Sequence, residues 1–123
     1  MAELDVVERY LEAVGVTRDW DAVRECLAED CTRVGPYGDT YTSRSEYLVF
    51  IADLMPKLPG YEMQIDRVQY TTNTAYAELT ETVTIDGRPY HTPETLVFDL
   101  TSDGRIAGVR VFIQTPGRSM PKF

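Results

Sequence analysis

Glu81 is the residue whose position most clearly indicates chemistry. Apart from Glu81, the odd positions of residues 74–85 carry only apolar side chains. Because side chains alternate between the two faces of a strand, Glu81 is predicted to be a lone carboxylate on an apolar face. Burying a carboxylate is costly unless it is paired or protonated, and carboxylates held in this way are candidates for proton transfer. The alternative is that this end of the sheet is open and Glu81 is hydrated.

Glu94 is predicted to lie on the same face as Glu81. Asp86-Gly87 is typical of a two-residue hairpin turn, and this turn fixes the pairing of the strands on either side of it. In that register Glu94 lies opposite Leu79 and diagonal to Glu81, with backbone positions about 7–8 Å apart. Two carboxylates at this range on an apolar wall would raise the pKa of one of them, which suits a general acid or base.

Tyr10 and Arg33 are the other polar candidates. Tyr10 lies on the apolar face of the first predicted helix, either as a core tyrosine or as a hydrogen-bond donor to a substrate carbonyl or developing oxyanion. Arg33 stands two residues before Gly35 in a short predicted strand, so both would face inward. There Arg33 could pair with Glu81 or bind an anionic group of the substrate. The alternative is a surface arginine, because strands beside Gly-Pro often bulge.

Three helices and a set of strands are predicted to position these residues. Apolar spacing indicates a helix from Leu4 to Val14 and a second from Trp20 to Leu27. A third begins at Ser43, which forms a capping-box pattern with Glu46. The predicted strands are 31–34, 61–70, 74–85, 88–100 and 105–114. Helices followed by a meander indicate an α+β fold, with three N-terminal helices packed on a curved, mostly antiparallel sheet.

Composition restricts the possible functions. The chain has 123 residues, enough for one domain, predicted over 1–114 with a loose tail over 115–123. Its net charge of −8 argues against nucleic acid, and no apolar run is long enough to cross a membrane. The acidic N-terminus is unlike a signal peptide, so a cytoplasmic protein is expected. Two cysteines and one histidine are too scattered for a metal site, and no phosphate-binding loop or cofactor motif is present.

Several short motifs occur in the order and spacing of a known fold. They are Val6-Val7-Glu8-Arg9-Tyr10, Pro36-x-Gly38, Leu58-Pro59, Gly87-Arg88, Phe98 and Gly104-Arg105-Ile106. With the order of helices and strands, they make the chain resemble the ketosteroid isomerases, the SnoaL-type polyketide cyclases and the limonene epoxide hydrolases. The resemblance covers most of the chain and implies their shared cone-shaped, nuclear-transport-factor-two-like fold around an apolar pocket.

The chain departs from these families at their catalytic positions. The base of the isomerases precedes the proline of the short strand, where this chain has Gly35, and their second acid falls on Leu96. The resemblance therefore implies Tyr10 alone of that catalytic trio. The Asp–Arg–Asp set of the epoxide hydrolases is not reproduced either, although an acid is kept at Glu81. Fold alone does not fix a function.

The predicted ligand is a small apolar molecule of the terpenoid, steroid or polyketide type. We expect cofactor-independent isomerisation, cyclisation, dehydration or epoxide hydrolysis, with Tyr10, Glu81 and Glu94 as the catalytic residues. The residues expected to bind the substrate are Arg33, Leu48, Ile51, Leu79, Val83, Leu96, Phe98, Val109 and Val111. The competing hypothesis is a non-catalytic module that binds a small ligand or dimerises.

The opposite face of the sheet is predicted to be the outer one. Strand alternation assigns the charged and ionisable side chains Glu78, His91, Asp99 and Arg110 to it. Tyr76, Val97 and Phe112 lie on the same face and could cover a second copy of the chain. A homodimer formed through the outer face of the sheet is therefore expected.

Overall fold

The computed structural model describes residues 5–114, which form three α-helices and a six-stranded sheet. The helices are α1 (Val6–Glu12), α2 (Trp20–Cys26) and α3 (Arg44–Leu54); a π-helical segment, Ala13–Thr17, extends α1, and a 3₁₀ turn, Met55–Lys57, extends α3. The strands are β1 (Leu27–Val34), β2 (Thr40–Tyr41), β3 (Glu62–Tyr70), β4 (Thr74–Ile85), β5 (Arg88–Leu100) and β6 (Ile106–Ile113). Leu4 and the predicted tail 115–123 lie outside the described residues.

The sheet has the order β2-β1-β6-β5-β4-β3. Strand β1 runs parallel to β6, and the other neighbours are antiparallel, which confirms the predicted α+β fold with a mostly antiparallel sheet. The order places β4, β5 and β6 side by side, so that their inward faces form one continuous wall.

The hairpin between β4 and β5 sets the register on which the site depends. Asp86 and Gly87 have φ values of 53° and 77°, the left-handed conformation that a two-residue turn of this type requires. In the resulting register Glu81 pairs with Thr92 and Leu79 pairs with Glu94, as predicted.

Helix α3 begins where the sequence predicts it. The Ser43 hydroxyl accepts a hydrogen bond from the backbone N–H of Glu46 at 3.1 Å, the usual N-cap interaction. The Glu46 carboxylate accepts from the N–H of Thr42 at 2.8 Å, so the second half of the predicted capping box is displaced by one residue. The start of α3 is thus fixed by its own local sequence.

The short strand predicted over 31–34 is the element whose bounds differ most from the prediction. It spans Leu27–Val34 rather than 31–34, and α2 ends at Cys26, so that Leu27 belongs to the strand. The cause is long-range, because Leu27 pairs with Ile106 of β6. The two-residue β2, which pairs with the end of β1, was also not predicted.

The helices cover one face of the sheet and bury the core against it. Val7 and Leu11 of α1, Tyr47 of α3, and Phe98 and Ile106 of the sheet are almost completely buried. None of the helices within residues 5–114 is long and apolar enough to cross a membrane. The core occupies one end of the space between helices and sheet, and a cavity occupies the rest.

Candidate active site

A cavity of about 640 Å³ lies between the helices and the inward face of the sheet. This volume is typical of sites for small molecules. Most of its wall is apolar, with side chains that include Leu11, Val14, Phe50, Ile51, Leu54, Met55, Met63, Val83, Leu96 and Val111. Its main polar side chains come from six residues on different elements: Tyr10, Arg33, Tyr47, Tyr61, Glu81 and Glu94.

Glu81 and Glu94 form a hydrogen-bonded carboxyl pair on the sheet wall. Burial, reinforced by the hydrogen bond to Glu81 and by its negative charge, raises the pKa of Glu94 far above its usual value of 4.5, whereas the charge of Arg33 lowers it. Glu94 therefore keeps its proton at neutral pH and donates it to Glu81. The pair combines a proton acceptor and a proton donor in one apolar site, as general acid/base catalysis requires.

Tyr61, which directly precedes β3, is a second hydrogen-bond donor to the Glu81 carboxylate. Its hydroxyl donates a hydrogen bond to Glu81 Oε2, and burial together with the Glu81 charge raises the pKa of Tyr61. The guanidinium of Arg18 lies over the Tyr61 ring, 5.3 Å from its centroid. Glu81 thus receives hydrogen bonds from Tyr61 and Glu94, which fix its orientation.

A pair of tyrosine hydroxyls also faces the cavity. Tyr10 of α1 and Tyr47 of α3 are hydrogen-bonded to each other, and both residues are buried. The Tyr10 ring also packs edge-on against Phe98, with centroids 5.7 Å apart. Burial raises the pKa of Tyr10, so this hydroxyl is protonated at neutral pH. Whichever hydroxyl accepts the shared bond retains its own proton, which it can donate to a ligand.

Arg33 faces the cavity, as one of the two alternatives for it predicted. Its guanidinium lies over the rings of Phe50 and Tyr47, 4.9 Å and 5.5 Å from their centroids. Its ion-pair partner is Asp39, at 3.6 Å, rather than Glu81. A Cβ at position 35 would overlap the Asp39 carboxylate, so Gly35 is what allows Asp39 to approach.

The sequence matches the family model of the SnoaL-like domain over residues 7–109. The chain belongs to the SnoaL-like domain family. No curated protein sequence matches it.

Solved structures share this SnoaL-like fold. A candidate SnoaL-like polyketide cyclase from Jannaschia sp. CCS1 superposes with a TM-score of 0.78 at 18% identity, covering 89% of this chain and 83% of its own. An epoxide hydrolase of the LEH-like type from M. tuberculosis gives 0.75 at 22%, covering 89% and 80%. A protein of ketosteroid isomerase-like fold from Catenulispora acidiphila, in complex with trimethylamine, gives 0.76 at 18%, covering 90% and 86%. At these identities the likeness concerns the fold.

The cavity of this SnoaL-like domain brings most of the predicted site residues together. The three predicted catalytic residues, Tyr10, Glu81 and Glu94, all line it. So do five of the residues predicted to bind substrate: Arg33, Ile51, Val83, Leu96 and Val111. Their roles in binding or catalysis stay predictions.

The other four residues predicted to bind substrate do not line the cavity. Leu79, Phe98 and Val109 lie on the correct face but are at most 1% exposed and belong to the hydrophobic core. Leu48 of α3 is half-buried and packs against the core, whereas Phe50, Ile51 and Leu54 of the same helix reach the cavity. Their predicted role in substrate binding stays a prediction that the lining of this cavity does not support.

Sequence reasoning missed both tyrosines that partner the catalytic candidates. The sequence predicts Tyr47 only as a residue of the third helix, and Tyr61 only as the first residue of a strand. A signal was available for Tyr47, because a buried tyrosine hydroxyl requires a hydrogen-bond partner and Tyr10 was predicted to be buried as well. Nothing in the local sequence places Tyr61 against Glu81, because that contact depends on the pairing of β3 with β4, in which Met63 lies opposite Glu81.

Proposed function

We propose that this SnoaL-like protein is a cofactor-independent enzyme that moves a proton on a small apolar molecule in the cavity. The observation that carries the proposal is the Glu81–Glu94 carboxyl pair in an apolar cavity that also holds the Tyr10–Tyr47 hydroxyl pair. The substrate would be a terpenoid, steroid or polyketide-like compound bearing a carbonyl group.

In the proposed reaction the Glu81 carboxylate removes a proton from the carbon beside the carbonyl. The electron pair of the broken C–H bond forms the enolate double bond, and negative charge collects on the carbonyl oxygen. A hydrogen bond from the Tyr10–Tyr47 pair stabilises this oxygen more strongly than the neutral carbonyl, which lowers the barrier. Return of the proton to another carbon completes an isomerisation. In a cyclisation the enolate carbon would attack a second carbonyl of the molecule, whose oxygen would take the proton back from Glu81.

The other polar groups would assist Glu81. Tyr61 keeps the acceptor oxygen oriented, and protonated Glu94 prevents a second full negative charge beside the enolate. Similarity of fold to a candidate polyketide cyclase and to an epoxide hydrolase supports small-molecule chemistry of this kind. In epoxide opening the Glu81 carboxylate would take a proton from the attacking water as the C–O bond breaks, and protonated Glu94 would give its proton to the released oxygen.

The experiment that tests the proposal is a screen for proton exchange. The protein is incubated in D₂O, without added cofactor, with a panel of apolar ketones, 1,3-diketones and epoxides. Mass spectrometry measures deuterium incorporation and product formation against a matched sample of the Tyr10→Phe variant. Exchange that the wild type accelerates and Tyr10→Phe slows supports the enzyme. Absence of acceleration for the whole panel would favour the second candidate, a non-catalytic module of the same fold.

We also propose that the chain forms a homodimer through the outer face of the sheet. Val97 of β5 pairs with Tyr76 of β4 on one side and Arg110 of β6 on the other, at the middle of this face. Tyr76 is 42% exposed and Phe112 is 57% exposed, which leaves large apolar side chains uncovered in the single chain. The Arg110–Asp99 ion pair lies beside them at 2.5 Å and would border the interface.

Val97→Lys is expected to convert the dimer to a monomer. The new ammonium groups would be buried without partners at the centre of the interface, next to the Arg110 of each copy, which costs several kcal/mol. Sedimentation equilibrium at a fixed protein concentration measures the mass. Val49→Lys is the matched control, because Val49 is 73% exposed on α3, away from the sheet. A wild-type mass of one chain, or an unchanged mass in Val97→Lys, would contradict the dimer.

A further inference from the structure

Arg33 is the one cation among the described residues that line the cavity, and its hydrogen-bonding capacity is unused. Its side chain is only 10% exposed, and no described residue accepts a hydrogen bond from its guanidinium. The Nη1 atom is fully buried without a hydrogen-bond partner. Asp39 lies 3.6 Å from it, which is close enough for an ion pair but too far for a good hydrogen bond.

A buried Nη1 without a hydrogen bond is costly, because water no longer solvates its two N–H donors. The rings of Tyr47 and Phe50 hold the guanidinium in place but compensate only its charge, not its N–H groups. Asp39 is 39% exposed, so its carboxylate can turn toward solvent at little cost. The Arg33 guanidinium is thus positioned to donate hydrogen bonds to an acceptor that is not part of the described chain.

We propose that Arg33 binds a carboxylate of the molecule that occupies the cavity. The inference rests on the proposed function, in that it takes the cavity to be the substrate site. A carboxylate matches the planar guanidinium with two parallel hydrogen bonds, and no neutral acceptor would compensate the buried charge equally well. The ligand carboxylate would displace Asp39, which now supplies the nearest negative charge.

The charges of the cavity would also orient such a molecule. The negative charge of Glu81 on the sheet wall repels an anionic head, whereas Arg33 attracts it. The apolar body would then lie along the wall that includes Ile51, Val83 and Val111, with its reacting carbon toward Glu81. The inferred substrate class is therefore an apolar carbonyl compound that carries a carboxylate.

The test compares two ligands that differ only in charge, naphthalene-2-carboxylate and naphthalene-2-carboxamide, by calorimetric titration of the full chain. The wild type is expected to bind the carboxylate about 10-fold to 100-fold more tightly, the usual effect of hydrogen bonds to a charged group. Arg33→Met should remove this preference without weakening amide binding. Asp39→Asn should strengthen carboxylate binding, because it removes the competing charge. Arg110→Met is the matched control and should change neither affinity, since Arg110 lies on the outer face.

Equal affinity of the wild type for the two ligands, including no binding of either, would overturn the inference. A carboxylate preference that persists in Arg33→Met would overturn it as well. If Arg33→Met does not fold, Asp39→Asn decides, and an unchanged or weaker carboxylate affinity in that variant counts against Arg33. Proton exchange on neutral ketones without a carboxylate preference would reject the anchor and retain the proposed enzyme. A carboxylate preference in a protein that catalyses no exchange would retain Arg33 as the carboxylate-binding residue and reject the proposed enzyme.

Discussion

Glu81→Gln is expected to reduce turnover by roughly 10²–10⁴-fold, the usual contribution of a general acid or base. Glutamine has nearly the same shape and can still accept the hydrogen bond from Tyr61, but it cannot take a proton from a carbon acid. The rate with the substrate identified by deuterium exchange measures the effect. Substrate affinity should change much less than the rate, because Glu81 acts on the reacting proton.

Glu78→Gln is the matched control for this variant. Glu78 lies on the same strand but on the outer face, where it forms an ion pair with Arg67 at 2.5 Å. The substitution removes one negative charge from β4 without touching the cavity, and turnover should stay at the wild-type level. A Glu81→Gln variant as active as Glu78→Gln would exclude Glu81 as the base and favour a ligand-binding role for the cavity.

The contacts that the sequence predicts best are those set by local geometry. Asp86-Gly87 fixes the β4–β5 register, and a period of two then assigns each side chain to a face, so the proximity of Glu81 and Glu94 could be derived without a structure. Ser43 locates the start of α3 for the same reason, because an N-cap acts within one turn of helix.

The contacts between distant elements could not be predicted from the sequence. The extra length of β1 depends on parallel pairing with β6, and the Tyr61–Glu81 contact depends on the register of β3 against β4. Alternation assigns Leu79 and Phe98 to the inward face but cannot tell how far along that face the helices pack. The boundary between core and cavity is therefore a tertiary property, and it decides which of the predicted binding residues line the cavity.

The stability of the protein is expected to fall as pH rises above about 4.5, and Glu94 is the expected cause. In the folded state its pKa is raised, chiefly by burial and then by Glu81, so the folded protein keeps a proton that the unfolded chain has released. Its contribution is fully present below the usual pKa of 4.5 and is lost as pH rises toward the folded pKa. The slope is up to about 1.4 kcal/mol of unfolding free energy for each pH unit.

Urea unfolding at several pH values between 5 and 8 measures this dependence as the difference between the wild type and Glu94→Gln. Glutamine carries no titrating proton and can donate to Glu81 as protonated Glu94 does, so the variant should gain stability relative to the wild type as pH rises. Taking the difference cancels the contributions of ionisable groups that both proteins share. A difference that stays constant over this range would mean that Glu94 is already ionised in the folded protein. The pair would then hold two negative charges, and Glu94 could not act as the proton donor of the proposed site.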